Sequence, residues 1–318
     1  MQSPHFIGAY EGEQHGALFF VVTTLHGNEP AGAKAVATLL RLLQAEKDKK
    51  PAFEFRGKIV GLIGNTAARA KGKRYIDTDM NRLWQPDRIE FIGQQPTNKI
   101  LLSEEREAYD LLTLIRAEIA AYQPTQLYFL DLHTTTAEGG IFTIVPPNPE
   151  SERIGLTLFA TMITGFSSLL QGTLMSFFNG QFEGIPATTL TFESGQHDDP
   201  ESVTNAVSAI INVLRAIGCV HSHDVEDKHD ERLRRRAEKL PQVAELMYRH
   251  ELRPGDNFKM RPGYHNFQPV AAKEILAEDR TGLIRAKTDA LILMPLYQQQ
   301  GNDGFFLVKP VLPDKKTV

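Results

Sequence analysis

Two imidazoles and two carboxylates occupy positions from which they could bind and use a metal ion. His26 and Glu29 lie in the run TLHGNEP, His133 lies in DLHTTT, and Glu193 ends the run ATTLTFE. Two histidines and a carboxylate are a common catalytic zinc set, which leaves a fourth position for water or substrate. Because the chain contains a single cysteine, Cys219, any such metal must be held by His, Asp or Glu.

The elements predicted around these residues place them at one edge of a sheet. Short apolar runs predict buried strands at 17–24, 58–64, 126–133 and 187–193. Apolar residues at helical spacing predict helices that begin near Pro30, at a capping Ser103 and at Asp199-Pro200. This alternation predicts an α/β sheet with helices on both faces. Ligands of such sheets bind outside the carboxyl ends of the strands, so one crevice could collect these side chains.

Each candidate residue also has a simpler interpretation. An H-x-x-E pair is most often a helix-surface pair, but this one directly follows a buried strand, and Gly27 frees its backbone. We expect Asp131 to point away from His133 and to act as a supporting group rather than a ligand. Glu193 is the candidate general base, which would take a proton from water and deliver it to a leaving nitrogen. The alternative is a strand-end glutamate paired with a surface lysine.

The segment NTAARAKGKRYIDTDMNRLW, residues 65–84, is too irregular and charged for a core strand and is predicted to be a long loop. Arg74, Asn81 and Arg82 in this loop could serve an anionic substrate, because arginine presents a planar fork suited to carboxylates or to a developing oxyanion. The alternative is that neighbouring aspartates simply neutralise the arginines.

Composition and charge exclude several classes of function. The formal net charge of -4 gives no electrostatic footprint for nucleic acid or for an anionic membrane surface. No apolar run approaches the roughly 20 residues that span a bilayer, and the first residues do not form a secretion signal. We therefore expect a cytoplasmic protein that binds neither nucleic acid nor a membrane.

The organisation along the chain predicts three parts. Residues 1–222 form the α/β domain, 223–240 form a charged connector, and 241–318 contain short β-like runs separated by turn signals. A cluster of histidines, His221, His223 and His229, lies at the junction. A flexible polar connector explains that cluster better than a second metal site.

Four motifs in this order, HGNEP, RYIDTDMNR, DLHTTT and TFESG, resemble the succinylglutamate desuccinylase/aspartoacylase family, which is related to the zinc carboxypeptidases. The later runs PGYHNFQPV and MPLYQQQGNDGFFLV are similar to the second domain of that family. The resemblance implies a three-layer α/β/α, zinc-carboxypeptidase-like domain with a mixed sheet, followed by a small β-rich C-terminal domain. It also implies one Zn²⁺ per chain.

The resemblance assigns roles to individual residues of this sequence. It implies zinc ligands at His26, Glu29 and His133. It implies Glu193 as the catalytic acid/base and Arg74 as the group that polarises the scissile carbonyl. The substrate-binding residues it implies are Asn81, Arg82 and, by a looser correspondence, Tyr297.

One departure from the family pattern concerns the substrate. Members that cleave N-acetylaspartate place another substrate-binding arginine shortly before the catalytic glutamate, whereas this chain has Glu183 near that position. An acid there would repel a second carboxylate, so we expect a substrate with one carboxylate or with an amine nearby.

The sequence thus predicts a zinc-dependent deacylase that cleaves the amide bond of an N-acyl amino acid or a similar small acylated amine. Two alternatives stay open at this point. One is a zinc carboxypeptidase acting on peptides, and the other is a ligand-binding protein without catalysis on the same scaffold.

Overall fold

The structure is a computed structural model that describes residues 3–311 of the 318-residue chain. Strands of the first part are β1 (Phe6–Glu11), β2 (Gln14–Thr23), β3 (Arg56–Ile63), β4 (Leu127–Thr135), β5 (Phe142–Ile144), β6 (Thr161–Thr164), β7 (Gly180–Phe182) and β8 (Ile185–Gln196). Helices are α1 (Ala31–Lys49), α2 (Thr66–Lys71), α3 (Pro86–Gln94), α4 (Ser103–Tyr122), α5 (Pro149–Thr157), α6 (Phe166–Leu169), α7 (Leu174–Phe178), α8 (Glu201–Ala216) and α9 (Lys228–Ala237). Single 3-10 turns span Met80–Arg82, Thr97–Lys99 and Ser222–Asp224.

The last part of the chain is rich in strands, as the sequence predicts. These strands are β9 (Val243–Glu251), β10 (Lys259–Met260), β11 (Pro269–Val270), β12 (Ile275–Asp279), β13 (Gly282–Arg285), β14 (Ala290–Leu293) and β15 (Asp303–Pro310). β10, β12 and β13 form a small sheet of their own, whereas β9, β15, β14 and β11 extend the large sheet. The connection is made by β9, which pairs in parallel with β6 and places Val243 opposite Met162.

The large sheet has the order β1-β3-β2-β4-β8-β5-β6-β9-β15-β14-β11, with β7 paired to β8. β3, β2, β4 and β8 are parallel neighbours, and antiparallel pairs flank them. The sheet is therefore mixed. Helices cover both of its faces, which confirms the three-layer α/β/α architecture.

Alternation along β2 shows how this sequence makes a strand buried on both faces. Leu18, Phe20 and Val22 point to a core shared with α3, α4 and α7. Phe19 and Val21 point to the opposite core, shared with α1, α5 and α8. Because successive side chains alternate between faces, an unbroken apolar run fits only a central strand with helices on both sides.

The parallel strands β2, β4 and β8 end at the same edge of the sheet. In the register of β4 and β8, His133 lies directly opposite Glu193. Both strands continue two to three residues beyond these side chains, to Thr135 and Gln196. The chain after β2 turns over the same edge, so residues far apart in sequence meet there.

Two local expectations need correction. Ser103 is not the cap of α4, because the helix begins at Ser103 itself and its backbone N–H donates to Asp77 Oδ2 at 2.7 Å. Residues 65–84 are also more than a loop. They contain α2 and a 3-10 turn, and they bury Met80 and Trp84 completely or nearly so.

The charged connector contains helix α9, which packs against α8. Leu233 is fully buried in the core of the first part, and Arg236 forms ion pairs with Asp199 and Glu201. These contacts explain why so polar a segment is ordered. The division at residues 222 and 240 stays a prediction, and the sheet itself runs across it.

Among the described residues, no helix combines the length and the apolar character needed to cross a bilayer.

Candidate metal centre

The loop after β2 presents His26 and Glu29 to the sheet edge. The backbone N–H of Glu29 donates to the carbonyl of His26 at 3.1 Å, which makes a tight turn. Gly27 lies between them against α2, where a Cβ would come within 2.2 Å of the Ala68 carbonyl carbon. Its N–H also donates to the carbonyl of Arg74 at 3.1 Å. Glycine is therefore required here for close backbone approach.

Three side chains converge on one point at this edge. The distance from Glu29 Oε1 to His26 Nδ1 is 2.8 Å, and the distance from Glu29 Oε2 to His133 Nδ1 is 3.0 Å. One ligand atom from each of the three residues lies within 4.8 Å of the others, and all three side chains are buried. The structure thus brings together the three residues that the sequence predicts as metal ligands.

Carboxylates hold the far nitrogen of each imidazole. His26 Nε2 lies 3.2 Å from Asp79 Oδ1, and His133 Nε2 lies 2.8 Å from Asp131 Oδ2. The expectation that Asp131 points away from His133 is wrong, because residues two apart on a strand share a face. Its supporting role agrees with this contact, since metal-binding histidines donate their second N–H to a carboxylate.

This arrangement suits a divalent cation. When both Nε2–H groups donate to aspartates, both Nδ1 lone pairs face the Glu29 carboxylate, and such a set of acceptors needs positive charge between them. The pKa values of these groups in the metal-free protein show the same preference for positive charge beside the Glu29 carboxylate. Burial opposes charge at both groups, yet the Glu29 pKa is held well below its usual value by the two imidazoles. The pKa of His133 is raised well above its usual value by Asp131 and Glu29.

Glu193 lies beside this cluster on β8. Burial, opposed by His133 and reinforced by Glu29 and Asp131, raises the pKa of its carboxyl to about 8. Its Oε2 atom is buried and has no hydrogen-bond partner among the described residues. No lysine pairs with it in the part of the chain that the structure describes, which removes the simpler interpretation of this residue. A carboxyl with these properties is suited to exchange a proton near neutral pH.

Arg74 reaches the cluster from the segment after α2. Its guanidinium donates to Asp79 Oδ2 at 3.0 Å, and its Nη1 lies 3.6 Å from Glu29 Oε1. Asp79 therefore neutralises Arg74, as the alternative interpretation of the sequence predicts. The arginine nevertheless lines the pocket next to the three ligand residues.

A buried carboxylate fixes this segment. Glu104 on α4 is fully buried and accepts three consecutive backbone N–H groups, those of Ile76, Asp77 and Thr78, at 2.6 to 3.2 Å. It also accepts a hydrogen bond from the side chain of Asn65 at 3.1 Å. Charge-assisted bonds to a buried carboxylate are strong, so the backbone that carries the site is held firmly.

Asn81 and Arg82 line the same pocket but already have partners. Asn81 Oδ1 accepts the backbone N–H of Leu174 at 2.9 Å. Arg82 Nη2 donates to Asp303 Oδ2 at 2.5 Å, and Nη1 donates to the carbonyl of Asn81. The pairing with Asp303 crosses from the first part of the chain to β15. Nothing local in the sequence indicates it, because 221 positions separate the two residues.

The structure places Tyr297 and Glu183 outside the pocket wall, although the sequence predicts that both affect the substrate. Tyr297 is not part of the pocket wall, and its hydroxyl donates to the Arg261 carbonyl at 2.9 Å. Glu183 also lies outside the wall and pairs with Arg116 on the surface at 2.8 Å. The interpretation that Glu183 repels a second substrate carboxylate is therefore wrong.

His197 is a pocket residue for which the sequence gives little signal beyond its closeness to Glu193. Its Nδ1 lies 2.7 Å from Thr134 Oγ1, while Nε2 is buried and has no partner among the described residues. Burial lowers its pKa, which favours the neutral imidazole. The histidines near the connector behave differently. In the described residues His221 and His223 belong to no group of three converging metal-binding side chains, since they pair separately with Glu54 and Asp224. His229 contacts Ser208 instead.

The pocket extends from the ligand cluster between the sheet edge and the C-terminal strands. Besides the charged residues its wall contains apolar side chains from both parts of the chain: Ile144, Phe166, Leu170, Met175, Leu296 and Phe306. The sequence does not predict this part of the wall, because its residues come from separate elements with no common motif.

Comparison with known proteins gives the class to which this fold and site belong. The profile of the succinylglutamate desuccinylase/aspartoacylase catalytic domain matches residues 16–217. The chain therefore belongs to the succinylglutamate desuccinylase/aspartoacylase family. This confirms the family that the four sequence motifs indicate.

Curated relatives match part of the chain. A succinylglutamate desuccinylase of Pseudomonas fluorescens is 26% identical over 190 residues, 58% of this chain and 52% of that protein. A probable aspartoacylase of Nostoc sp. is 32% identical over 126 residues, 39% of this chain and 37% of that protein. The chain spans about half the length of the first relative and a smaller share, 37%, of the second.

Solved structures share the fold over nearly the whole chain. The succinylglutamate desuccinylase from Chromobacterium violaceum has a TM-score of 0.60 at 17% identity and covers 99% of this chain and 100% of its own. A succinylglutamate desuccinylase/aspartoacylase from Rhodobacter sphaeroides has a TM-score of 0.62 at 16% identity, covering 94% of this chain and 88% of its own. At these identities the likeness concerns the fold alone.

Proposed function

We propose that this chain is a zinc-dependent deacylase that hydrolyses the amide bond of an N-acyl amino acid or a similar small acylated amine. The observation that carries the proposal is the convergence of His26, Glu29 and His133 beside Glu193 in one pocket. Membership in a family whose named relatives include desuccinylases and aspartoacylases supports the same reaction type.

The three ligand residues would hold one zinc ion, with Asp79 and Asp131 orienting the imidazoles. When bound, zinc supplies a Lewis acid for the amide carbonyl and lowers the pKa of a water molecule. The remaining chemistry belongs to side chains of this chain. Glu193 takes a proton from the attacking water and delivers it to the departing nitrogen, which leaves as an amine.

Arg74 supplies positive charge next to the position of the scissile carbonyl. Its side chain is largely buried and is held by Asp79, so it needs no rearrangement to face developing negative charge on oxygen. Asn81 and Arg82 form the wall on which the amino-acid part of the substrate lies. Tyr297 stays a candidate for substrate contact only if the segment that carries it moves.

A metal analysis combined with a substrate screen tests this proposal. We expect about one tightly bound zinc per chain, turnover of some N-acyl amino acids, and loss of that turnover on chelation. Glu193→Gln should reduce turnover by 10²-fold or more, in the range expected for a general acid/base. Glu183→Gln is the matched control, because that glutamate lies on the surface and pairs with Arg116.

The outcomes separate the alternatives. Absence of any bound divalent metal, or full turnover by Glu193→Gln, contradicts the mechanism. Hydrolysis of long peptides from the carboxyl end would favour a peptide carboxypeptidase. Binding of acylated amino acids by the zinc-loaded protein without turnover would favour a ligand-binding protein on this scaffold.

A further inference from the structure

Asp303 forms an ion pair with the guanidinium of Arg82 in the wall of the pocket. Its two oxygens bind two arginines, Arg82 at 2.5 Å and Arg249 at 2.5 Å. Side-chain exposure is 10% for Asp303 and 18% for Arg82, so water screens this ion pair weakly. Glu251 lies 3.3 Å from Arg249 and balances the second arginine.

This arrangement leaves little free positive charge for a substrate. Among the described residues that line the pocket, the arginines are Arg74 and Arg82. Arg74 is paired with Asp79, and Arg82 is paired with Asp303. Arg82 donates one N–H from Nη2 to Asp303 and one from Nη1 to the Asn81 carbonyl, so each Nη atom retains one N–H for a substrate oxygen although the charge of the guanidinium is already neutralised.

The pocket wall that contains Arg82 also contains several apolar side chains, together with the hydroxyl groups of Thr173 and Ser176. The segment from α6 to α7 packs directly on the loop that carries Arg82: Leu174 N donates to Asn81 Oδ1 at 2.9 Å, and Trp84 N donates to the Gly172 carbonyl at 3.0 Å. This segment brings Phe166, Leu170 and Met175 to the pocket, and β15 adds Phe306. An apolar side chain would be desolvated there without leaving a charge unpaired, whereas a second carboxylate, on the amino-acid side chain, would meet no unpaired cation unless it displaced Asp303.

We infer that Asp303 makes this pocket selective for N-acyl amino acids whose side chain is uncharged and apolar, with one carboxylate and no second acid. The inference rests on the proposed deacylase function and specifies its substrate class. In it the amino-acid side chain lies against Leu170, Met175 and Phe306, and the single carboxylate accepts from the Arg82 Nη N–H groups that Asp303 and Asn81 leave free. Asp303 disfavours aspartate and glutamate derivatives by repelling their second carboxylate and by neutralising the charge of Arg82.

The test measures kcat/KM of the zinc-loaded protein for N-acetyl-leucine, N-acetyl-methionine, N-acetyl-glycine and N-acetyl-aspartate. We expect leucine and methionine derivatives to exceed the aspartate derivative by at least about tenfold. Asp303→Asn should shift the leucine-to-aspartate ratio toward aspartate by about tenfold or more. Glu251→Gln is the matched control, because it removes an acid from the same cluster without freeing Arg82, and its ratio should not change.

A second variant keeps the inference testable if Asp303→Asn does not fold. Leu170→Ser should lower the leucine-to-glycine ratio of kcat/KM about fivefold or more, with folding of each variant checked by circular dichroism. A wild-type preference for the aspartate derivative, or an unchanged ratio in folded Asp303→Asn, overturns the inference. A preference set by acyl length in acetyl-, hexanoyl- and succinyl-glycine, with no preference among amino acids, overturns it as well.

Binding separates a failure of this inference from a failure of the proposed function. If no compound of the panel is hydrolysed, the deacylase proposal fails. Calorimetric titration with free leucine and free aspartate still tests whether the pocket selects an apolar amino-acid side chain. Tighter binding of leucine, reversed or reduced by Asp303→Asn, supports the selectivity. Tighter binding of aspartate, or no binding of either amino acid, overturns it.

Discussion

Asp131 Oδ2 lies 2.8 Å from Nε2 of His133, and both side chains project from the same face of β4. The aspartate is fully buried, so the contact fixes which ring nitrogen of His133 carries the proton. The other nitrogen is then available at the point where Glu29 and His26 converge.

Asp131→Asn is expected to weaken zinc affinity about 10- to 100-fold while leaving the three ligands in place, because an amide is a poorer acceptor for the imidazole N–H. Competition with a chromophoric chelator measures this change. Asp198→Asn serves as the control, since that residue is exposed. Equal affinities for the two variants would contradict the supporting role of Asp131.

Gly27→Ala is expected to reduce both stability, by about 1–3 kcal/mol, and metal occupancy, because a Cβ would lie 2.2 Å from the Ala68 carbonyl carbon and the backbone would have to move. Urea unfolding and metal analysis report the two effects. Gly93→Ala on α3 is the control, since nothing lies within 4 Å of an added Cβ there. Metal occupancy of Gly27→Ala equal to that of the control would show that the loop tolerates the methyl group.

Glu104→Ala is expected to lower the free energy of unfolding by about 3 kcal/mol or more, because it removes the fully buried carboxylate that accepts three backbone N–H groups. Glu105→Ala is the neighbouring control and removes only the half-exposed pair with Arg88, worth about 1 kcal/mol or less. Urea unfolding at equilibrium measures both. A loss for Glu104→Ala as small as that for the control would mean that the segment rearranges without penalty.

The pKa of Glu193 predicts a pH dependence of the metal-free protein. The folded value of about 8 lies above the ordinary 4.5, so the folded protein holds this proton more tightly than the unfolded chain. Stability is therefore greatest below about pH 4.5 with respect to this group, and it falls by at most about 1.4 kcal/mol per pH unit until about pH 8. Glu193→Gln lacks this loss.

Thermal unfolding of both metal-free proteins at pH 5.5 and pH 8.5 measures the difference. We expect the variant to gain stability relative to wild type at the higher pH. An identical pH dependence of the two proteins would mean that the Glu193 carboxyl is not desolvated as the structure has it.

Sequence patterns predict the elements better than they predict the contacts between them. The run around Phe19 and Phe20 specifies a buried central strand, and parallel strands must end at one edge, so His26, His133 and Glu193 could be placed together. The strand period also specifies the direction of Asp131, because residues two apart on a strand share a face, and the expectation that it points away from His133 conflicts with that period.

Other contacts have no local signature. Asp303 meets Arg82 because β9 and β15 extend the sheet, and that pairing depends on packing of the whole chain. Glu183 lies near Glu193 in sequence, yet the turn between β7 and β8 directs it to Arg116 on the surface. Distance along the chain is a poor guide at such turns, since a few residues reverse the strand.

The parallel pairing of β6 with β9 has a mechanical consequence. Because this ladder joins the strands of the ligand cluster to β15, the wall that carries Asp303 cannot swing away without breaking backbone hydrogen bonds. Access to the pocket therefore depends on side chains and on the short segments at its rim. Asp303 is held at a fixed position before any ligand binds. The charge of Arg82 is therefore neutralised in the unliganded protein, and no closure of the pocket is needed to neutralise it.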